Sequence, residues 1–406
     1  MTKTKIINDP VYGFITIPGK LIYDLLEHPF VQRLRRIKQL GMSELVYPGA
    51  THSRFHHALG AMHLMQKAVQ TLRQKSVEIT DAEAEALYSA ILLHDLGHGP
   101  YSHSLEHTLI HHVAHENVSL MMMNQMNEEL NGQLDLCIAI FTNQYHKKFL
   151  HSLISGQLDM DRLDYLGRDS FYTGVSEGII GADRIINMLD VYNDELVVEE
   201  KGIYSIEKFI IARRLMYWQV YLHKTVVAAD LLLTNIMRRA AELSENGTRL
   251  TASPSLAYFL ENKVSNKQFK EDAEVMKHFI QLDDNDVFSA IKSWQFTEDK
   301  VLALLSRHLV NRRLPKMLVS TKQFSEETLI EKEQAVAALF KLKTDEIKYF
   351  ASMATIKNDA YKVEKSTSIK IKMKSGEVLD VTDASDNYNL KSLNQTVKKY
   401  YLSFYR

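Results

Sequence analysis

AEALYSAILLHDLGHGPYSH, residues 84–103, holds the change of pattern on which the reading of this chain turns. Apolar residues at three- and four-residue spacing predict a helix over Ala82 to His94, and Gly97, Gly99 and Pro100 then break it. His94 and Asp95 therefore sit side by side near a helix end. Successive helical residues point about 100° apart, so both side chains can bend toward one cation. An imidazole and a carboxylate together suit a borderline or hard divalent ion.

A lone His-Asp dipeptide is usually a surface pair, and the surroundings decide its weight here. Of 17 histidines, seven fall between His94 and His115. Upstream, GATHSRFHHALGAMH (49–63) sets His56 and His57 at the start of another amphipathic helix. Downstream, SGQLDMDRLDYLGRDS (155–170) places Asp159, Asp161, Asp164 and Asp169 among Leu158, Leu163 and Leu166 at helical spacing. Carboxylates so close together repel unless a metal or other cation offsets them.

Composition narrows the classes. With 406 residues and 45% hydrophobic content, the chain can build a substantial core and more than one lobe. The single cysteine, Cys137 in LDLCIAIF, excludes an internal disulfide framework and any cysteine-built zinc site, and reads as a small buried hydrophobe. Metal chemistry must rest on histidine and carboxylate. A formal charge of −1 gives no argument for nucleic-acid binding. No apolar run approaches the ~20 residues of a membrane span, and MTKTKIINDP lacks the apolar stretch of a signal peptide. The expectation is a cytoplasmic protein without a membrane role.

Along the chain, helical periodicity covers Leu21 to Leu26, Phe30 to Leu40, Ala58 to Leu72 and Ala82 to His94, and further helices are expected to about Leu318. LVVEEKGIYSI, within Glu195 to Ile206, predicts a β-hairpin about Lys201-Gly202. Ile369, Ile371 and Met373 alternate with lysines before Ser375-Gly376, predicting a second hairpin. The fold class is mainly α, with a helical core, two small β-hairpins and a C-terminal α+β lobe. The expected division is a core at 1–245, a helical extension at 246–330 and the small lobe at 331–406.

In order, RLRRIKQLG (33–41), YPGATHSRFHHALG (47–60), LLHDLGHGPYSH (92–103), AHEN (114–117) and LDMDRLDYLGRDS (158–170) resemble the HD-domain deoxynucleoside triphosphate triphosphohydrolases, over roughly residues 5 to 235. The resemblance implies an HD-domain core and one divalent ion, Mn, Fe, Ni, Zn or Mg, held by His57, His94, Asp95 and Asp161. Four protein ligands leave about two octahedral positions for water and phosphate.

It also implies that His98 and His103 bind phosphate and that His115 serves the leaving oxygen or the nucleophilic water, with Asp95 at the catalytic centre. Arg54 matches a phosphate-binding arginine, and Arg162 stands where mammalian members carry lysine. Tyr165 and Asp169 would frame the deoxyribose, with Gln39 a second partner for its 3′-hydroxyl. Arg213 and Tyr217 would lie near phosphates and base, and Tyr221, His223 and Lys224 near the closing helix. His107, His111 and His112 have no counterpart in the family pattern.

The implied activity is hydrolysis of a deoxynucleoside triphosphate to deoxynucleoside and triphosphate. The alternatives are an HD phosphohydrolase acting on a nucleoside monophosphate, a cyclic dinucleotide or a guanosine alarmone, or a non-catalytic nucleotide-sensing or nucleic-acid-binding oligomer. The family further implies a homo-oligomer, dimer or tetramer, with a regulatory nucleotide near Lys5, Asn8, Gln32, Arg35 and Arg312. Glu27 there replaces an aspartate.

Overall fold

A computed structural model describes residues 5–101, 105, 114–358, 368–387 and 396–406. The architecture is mainly α, as expected, with small sheets at the margins of the helical core. The chain opens with a hairpin, β1 (Ile6–Asp9) against β2 (Gly13–Thr16). A helix at Lys20–Glu27 follows and buries Ile22, Leu25 and Leu26.

Three helices carry most of the chemistry. Arg54–Gln74 begins after Ser53, whose amide donates to His56 Nδ1 at 3.2 Å, so His56 serves as a cap. Asp81–Leu93 is capped by Thr80 and Glu83, is buried from Ala86 to Leu87 and from Ser89 to Leu93, and hands over to His94 at its C-cap. Met160–Thr173 starts at Asp159, which accepts from the Arg162 amide at 2.7 Å, and ends at Gly174 in the left-handed region. The first of these helices packs against both others.

The helix expected over Phe30 to Leu40 stops early: Pro29–Arg33 continues as a 3-10 turn to Arg36, and Ile37 is extended. Tertiary partners capture the amides that a helix would have used. Lys38 N donates to Asp284 Oδ2 at 2.8 Å and Gln39 N to His52 O at 3.0 Å.

The first inner hairpin exists, but its turn lies seven residues or more before Lys201-Gly202. Strands β3 (Leu189–Tyr192) and β4 (Glu195–Glu199) join through Asn193 and Asp194, both at positive φ, as a two-residue hairpin loop requires. The IYSI segment is instead the start of a helix, Ile203–Met216, that buries Ile206, Phe209 and Ile210. Gly202 serves close packing there: a Cβ would sit 2.6 Å from Val198 Cγ1.

The second hairpin forms about Ser375-Gly376, with β7 (Lys370–Lys372) paired to β8 (Val378–Asp380). β7 also runs parallel to β4, giving the order β3-β4-β7-β8. The helices expected to about Leu318 end at Val310, and β5 (Lys316–Ser320) follows. β5 joins β6 (Ala351–Asn358) and β9 (Val397–Phe404) in the order β5-β9-β6. Both larger sheets thus pair strands from either side of residue 330. Among the described residues, no helix is long and apolar enough to cross a membrane.

Candidate metal centre and active site

The metal cluster is assembled from the starts of two helices and the end of a third. His57 lies in the first turn of Arg54–Gln74, His94 caps Asp81–Leu93, and Asp161 lies in the first turn of Met160–Thr173. One donor atom from each falls within 4.8 Å of the others. His57 Nε2 is 3.1 Å and His94 Nε2 3.6 Å from Asp161 Oδ1. Both Nε2 atoms are buried and lack a hydrogen bond of acceptable geometry.

The opposite ring nitrogens explain why these two are poised. His57 Nδ1 is 2.7 Å from Asp164 Oδ2, and His94 Nδ1 is 2.6 Å from the Ile91 carbonyl. A proton on each Nδ1 leaves an Nε2 lone pair aimed at the common centre. Asp95 lies against the same centre, 3.2 Å from His94 Nε2 through Oδ1 and 3.9 Å from His57 Nε2 through Oδ2.

Electrostatics agree with a cation there. Burial alone would depress the His57 imidazole, but Asp161 and Asp164 outweigh it and raise its pKa to about 10. Against the upward push of burial, His57 and His94 hold Asp161 far below the usual carboxylate range. Burial likewise fails to raise Asp95, which His94, Arg54 and His98 hold well below its ordinary value. Two orphaned imidazole nitrogens beside ionised carboxylates fit a divalent ion, and these residues would hold it.

A pH dependence follows. Without metal, the raised His57 pKa adds stability that is complete below about 6.5 and is lost as pH climbs through about 10. Metal must displace that proton, so between pH 7 and 9 its apparent affinity should rise by about tenfold per pH unit. Calorimetric titration in buffers of different ionisation enthalpy checks this by counting the proton released. A pH-independent affinity with no proton release contradicts it.

Behind His57 runs a support whose pairings no sequence motif marks. Asp164 accepts from His57 and from Arg168 Nε, at 2.9 Å through Oδ2, while Arg168 Nη1 reaches Asp9 Oδ2 at 2.8 Å. Asp9 belongs to the N-terminal hairpin and also accepts the Val11 and Tyr12 amides. All of the side chains in this support are buried. Asp164 and His57, like Arg168 and Asp9, lie over one hundred residues apart in sequence, so no local pattern announces them.

The other expected residues fall around the cluster as follows. His98 is buried, with Nε2 3.3 Å from Asp95 Oδ1, and its ring stacks on His115 at 3.9 Å. Burial, then Arg54, pushes His98 well below the ordinary imidazole value, leaving it neutral at pH 7. His115 opens the helix His115–Glu129. His103, like His107, His111 and His112, lies outside the described residues. Arg54 Nη1 donates to Asp95 Oδ2 at 2.6 Å, so this arginine anchors a carboxylate of the cluster.

Tyr165, Tyr217 and Tyr221 make an aromatic wall, with Tyr221 edge-on to Tyr165 at 6.2 Å and to Tyr217 at 5.2 Å. Tyr217 and Tyr221 bound a π-helical stretch, Tyr217–Tyr221, a geometry frequent at functional sites. Asp169 accepts from Tyr221 at 2.8 Å, and its other oxygen is 2.7 Å from His52 Nε2. His52, which stacks on Tyr172 at 4.4 Å, is a site residue that the sequence does not single out. Gln39 Oε1, Arg162 Nε and Arg213 Nε are buried without a hydrogen-bond partner. Arg162 also pairs with Asp159. His223 caps the Lys224–Glu245 helix through Thr225 N.

Three of the residues expected to hold a regulatory nucleotide have partners within the chain. Gln32 donates to Leu26 O at 2.6 Å, Arg35 lies 3.7 Å over the Phe55 ring, and Arg312 donates to Leu45 O at 2.7 Å.

Comparison with known proteins bears on the family. A model of the HD domain matches residues 54–168 and one of an HD associated region matches 180–253. The protein YwfO of Bacillus subtilis is 36% identical over 322 residues, 77% of this chain and 72% of that protein. The deoxynucleoside triphosphate triphosphohydrolase SAMHD1 homolog of Dictyostelium discoideum is 30% identical over 58% of this chain. The chain spans about half of that relative, 49% of its length. A crystal structure of a phosphohydrolase from Bacteroides thetaiotaomicron is 51% identical, with 100% of both chains covered and a TM-score of 0.96. With its His57–His94–Asp161 cluster inside the matched region, the chain belongs to the HD-domain phosphohydrolase superfamily.

Proposed function

We propose that this hydrolase acts on deoxynucleoside triphosphates and releases deoxynucleoside and intact triphosphate. One observation carries the reading: the two unpartnered Nε2 atoms converge with Asp161 next to Arg162 and the tyrosine wall. The substrate class is supported by the activity named for the Dictyostelium discoideum relative, and by human SAMHD1, 28% identical over 285 residues.

A divalent ion bound by His57, His94 and Asp161, with Asp95 as fourth ligand, supplies a Lewis acid and acidified water. The chain's own residues do the rest. Arg54, Arg162 and Arg213 neutralise phosphate oxygens. Tyr165 and Tyr221 floor the sugar, Asp169 accepts from its 3′-hydroxyl, and the Gln39 amide donates to that hydroxyl's oxygen. Asp169 can do so although it already serves His52 and Tyr221, since a carboxylate offers about four acceptor positions. Water sheds a proton as it adds to the α-phosphorus, the bond to the 5′-oxygen breaks, and His115 gives that oxygen a proton, which the one shed by water replaces.

Chromatography of the products of dATP and dGTP tests the assignment. Triphosphate and deoxynucleoside are expected in equal amounts; pyrophosphate or orthophosphate in their place refutes it. The same reading includes a homo-oligomer responsive to nucleotide. Light scattering should then show a mass increase on adding dGTP or dATP, and an unchanged mass removes that part.

A further inference from the structure

Asp284 is a buried carboxylate whose two oxygens both serve backbone outside its own helix. It opens the helix Asp284–Trp294, yet its neighbours do the capping. Asp283 accepts the Asn285 amide at 2.8 Å, and the Asp283 amide donates to Asp286 Oδ2 at 2.8 Å. Asp284 reaches across the chain instead. Its Oδ2 takes the Lys38 amide at 2.8 Å and its Oδ1 the Tyr101 amide at 2.9 Å, partners 246 and 183 positions away. Burial pushes its pKa up to about 6 while the two amides pull the other way, so at pH 7 it is a carboxylate with both oxygens accepting.

Both amides belong to segments that border the active site. Lys38 precedes Gln39, and the stretch 96–101 carries His98, whose ring stacks on His115. Tyr101 stands at φ 47°, a left-handed conformation that a bulky side chain holds only where its surroundings over-determine it. A second clasp lies alongside. Arg33, wholly buried, donates to Leu282 O at 3.0 Å, Leu96 O at 3.3 Å and His98 O at 2.9 Å, and Arg36 pairs with Asp283. Three distant stretches, 33–39, 96–101 and 282–284, are fixed on one another in this way, and losing an acceptor here strands a buried N–H.

We propose that Asp284 is a positioning residue for hydrolysis: by holding the Lys38 and Tyr101 amides together it sets where Gln39 and His98 meet the substrate. It touches neither substrate nor metal and acts through backbone. That Gln39 meets a 3′-hydroxyl rests on the function proposed above; the placement of His98 beside Asp95 and His115 does not.

Steady-state kinetics test this on dATP and on bis(4-nitrophenyl) phosphate, a phosphodiester without sugar or base, with metal content measured for each protein. Asp284→Asn keeps the shape but turns an NH2 group toward one of the amides. It should lower kcat on both substrates by about ten- to a hundredfold at the parent's metal stoichiometry. KM should rise for dATP alone, because only dATP carries the hydroxyl that Gln39 reaches. Asp284→Glu, which keeps both acceptors on an arm longer by one methylene, should lose rate to a lesser degree, and it carries the test should Asp284→Asn fail to fold.

Val287→Ala separates positioning from stability. It removes buried methyl groups from the same helix, so it should lower the melting midpoint and keep the parent's kcat and KM. Parent rates in both Asp284 variants overturn the proposal, and so does a loss of kcat in Val287→Ala equal to that in Asp284→Asn. If dATP yields no triphosphate while the losses on the phosphodiester persist, the proposed function fails and the placement of His98 by Asp284 stands.

Discussion

Replacing His94 by alanine should empty the metal site and lower phosphohydrolase turnover at least about 10³-fold, because the ion's contribution to transition-state charge amounts to several kcal/mol. His94 supplies one of two buried Nε2 atoms without a hydrogen-bond partner. Its removal leaves Asp95 and Asp161 facing the same space with one fewer donor between them. The helix behind it should survive: Asp81–Leu93 is held by its Thr80–Glu83 cap and its buried alanines and leucines, and loses only the bond from His94 Nδ1 to Ile91 O. Metal per protein by elemental analysis, hydrolysis rate and a thermal melt form the test. A variant that keeps both stoichiometric metal and full turnover places the chemistry elsewhere.

What was legible in the sequence was what repeats locally. His94 and Asp95 stand out because an apolar helical pattern runs into them and stops, whereas only the family resemblance separates His57 from His56 and Asp161 from the aspartates around it. Residues that act through partners distant in the chain had no such signature. Arg168 reads as an ordinary charge on an amphipathic helix, yet it is fully buried between Asp164 and Asp9. His52 sits within the quoted motif, but only folding brings it to Asp169, 117 positions away.

The misplaced hairpin has the same origin. Lys201-Gly202 has turn composition, but the glycine is used for contact with Val198 and Met188, and Asn193-Asp194 supplies the turn. Likewise, nothing near Lys38 in sequence shows that Asp284 will take its amide. Local periodicity fixes element type; the long-range acceptors that end an element are visible only in three dimensions.

The helix holding His57 approaches the helix holding Asp161 so closely that Gly60 admits no side chain. A Cβ there would lie 2.0 Å from Asp164 Oδ1 and 2.1 Å from Arg168 Nη2. Neither atom can swing aside cheaply. Asp164 is bound by His57 and Arg168, Arg168 is bound again by Asp9, and all are buried. Gly60→Ala must either part the helices or break the buried pair. Overpacking costs about 1–3 kcal/mol, and breaking a buried ion pair about 3–5 kcal/mol.

A loss of roughly 3–5 kcal/mol is therefore expected on urea denaturation, a large share of the roughly 5–15 kcal/mol that domains possess. Because Asp164 orients His57, metal affinity in the surviving folded protein should also fall by about 10–100-fold. Gly167→Ala is the control of opposite sign. It lies within the Met160–Thr173 helix, and a methyl group added there would meet nothing within 4 Å, so relief of glycine's entropy should stabilise by about 0.5–1 kcal/mol. Should Gly60→Ala match the parent in both denaturation midpoint and metal affinity, the two helices do not meet at this spacing, and the Asp9–Arg168–Asp164 support does not position His57.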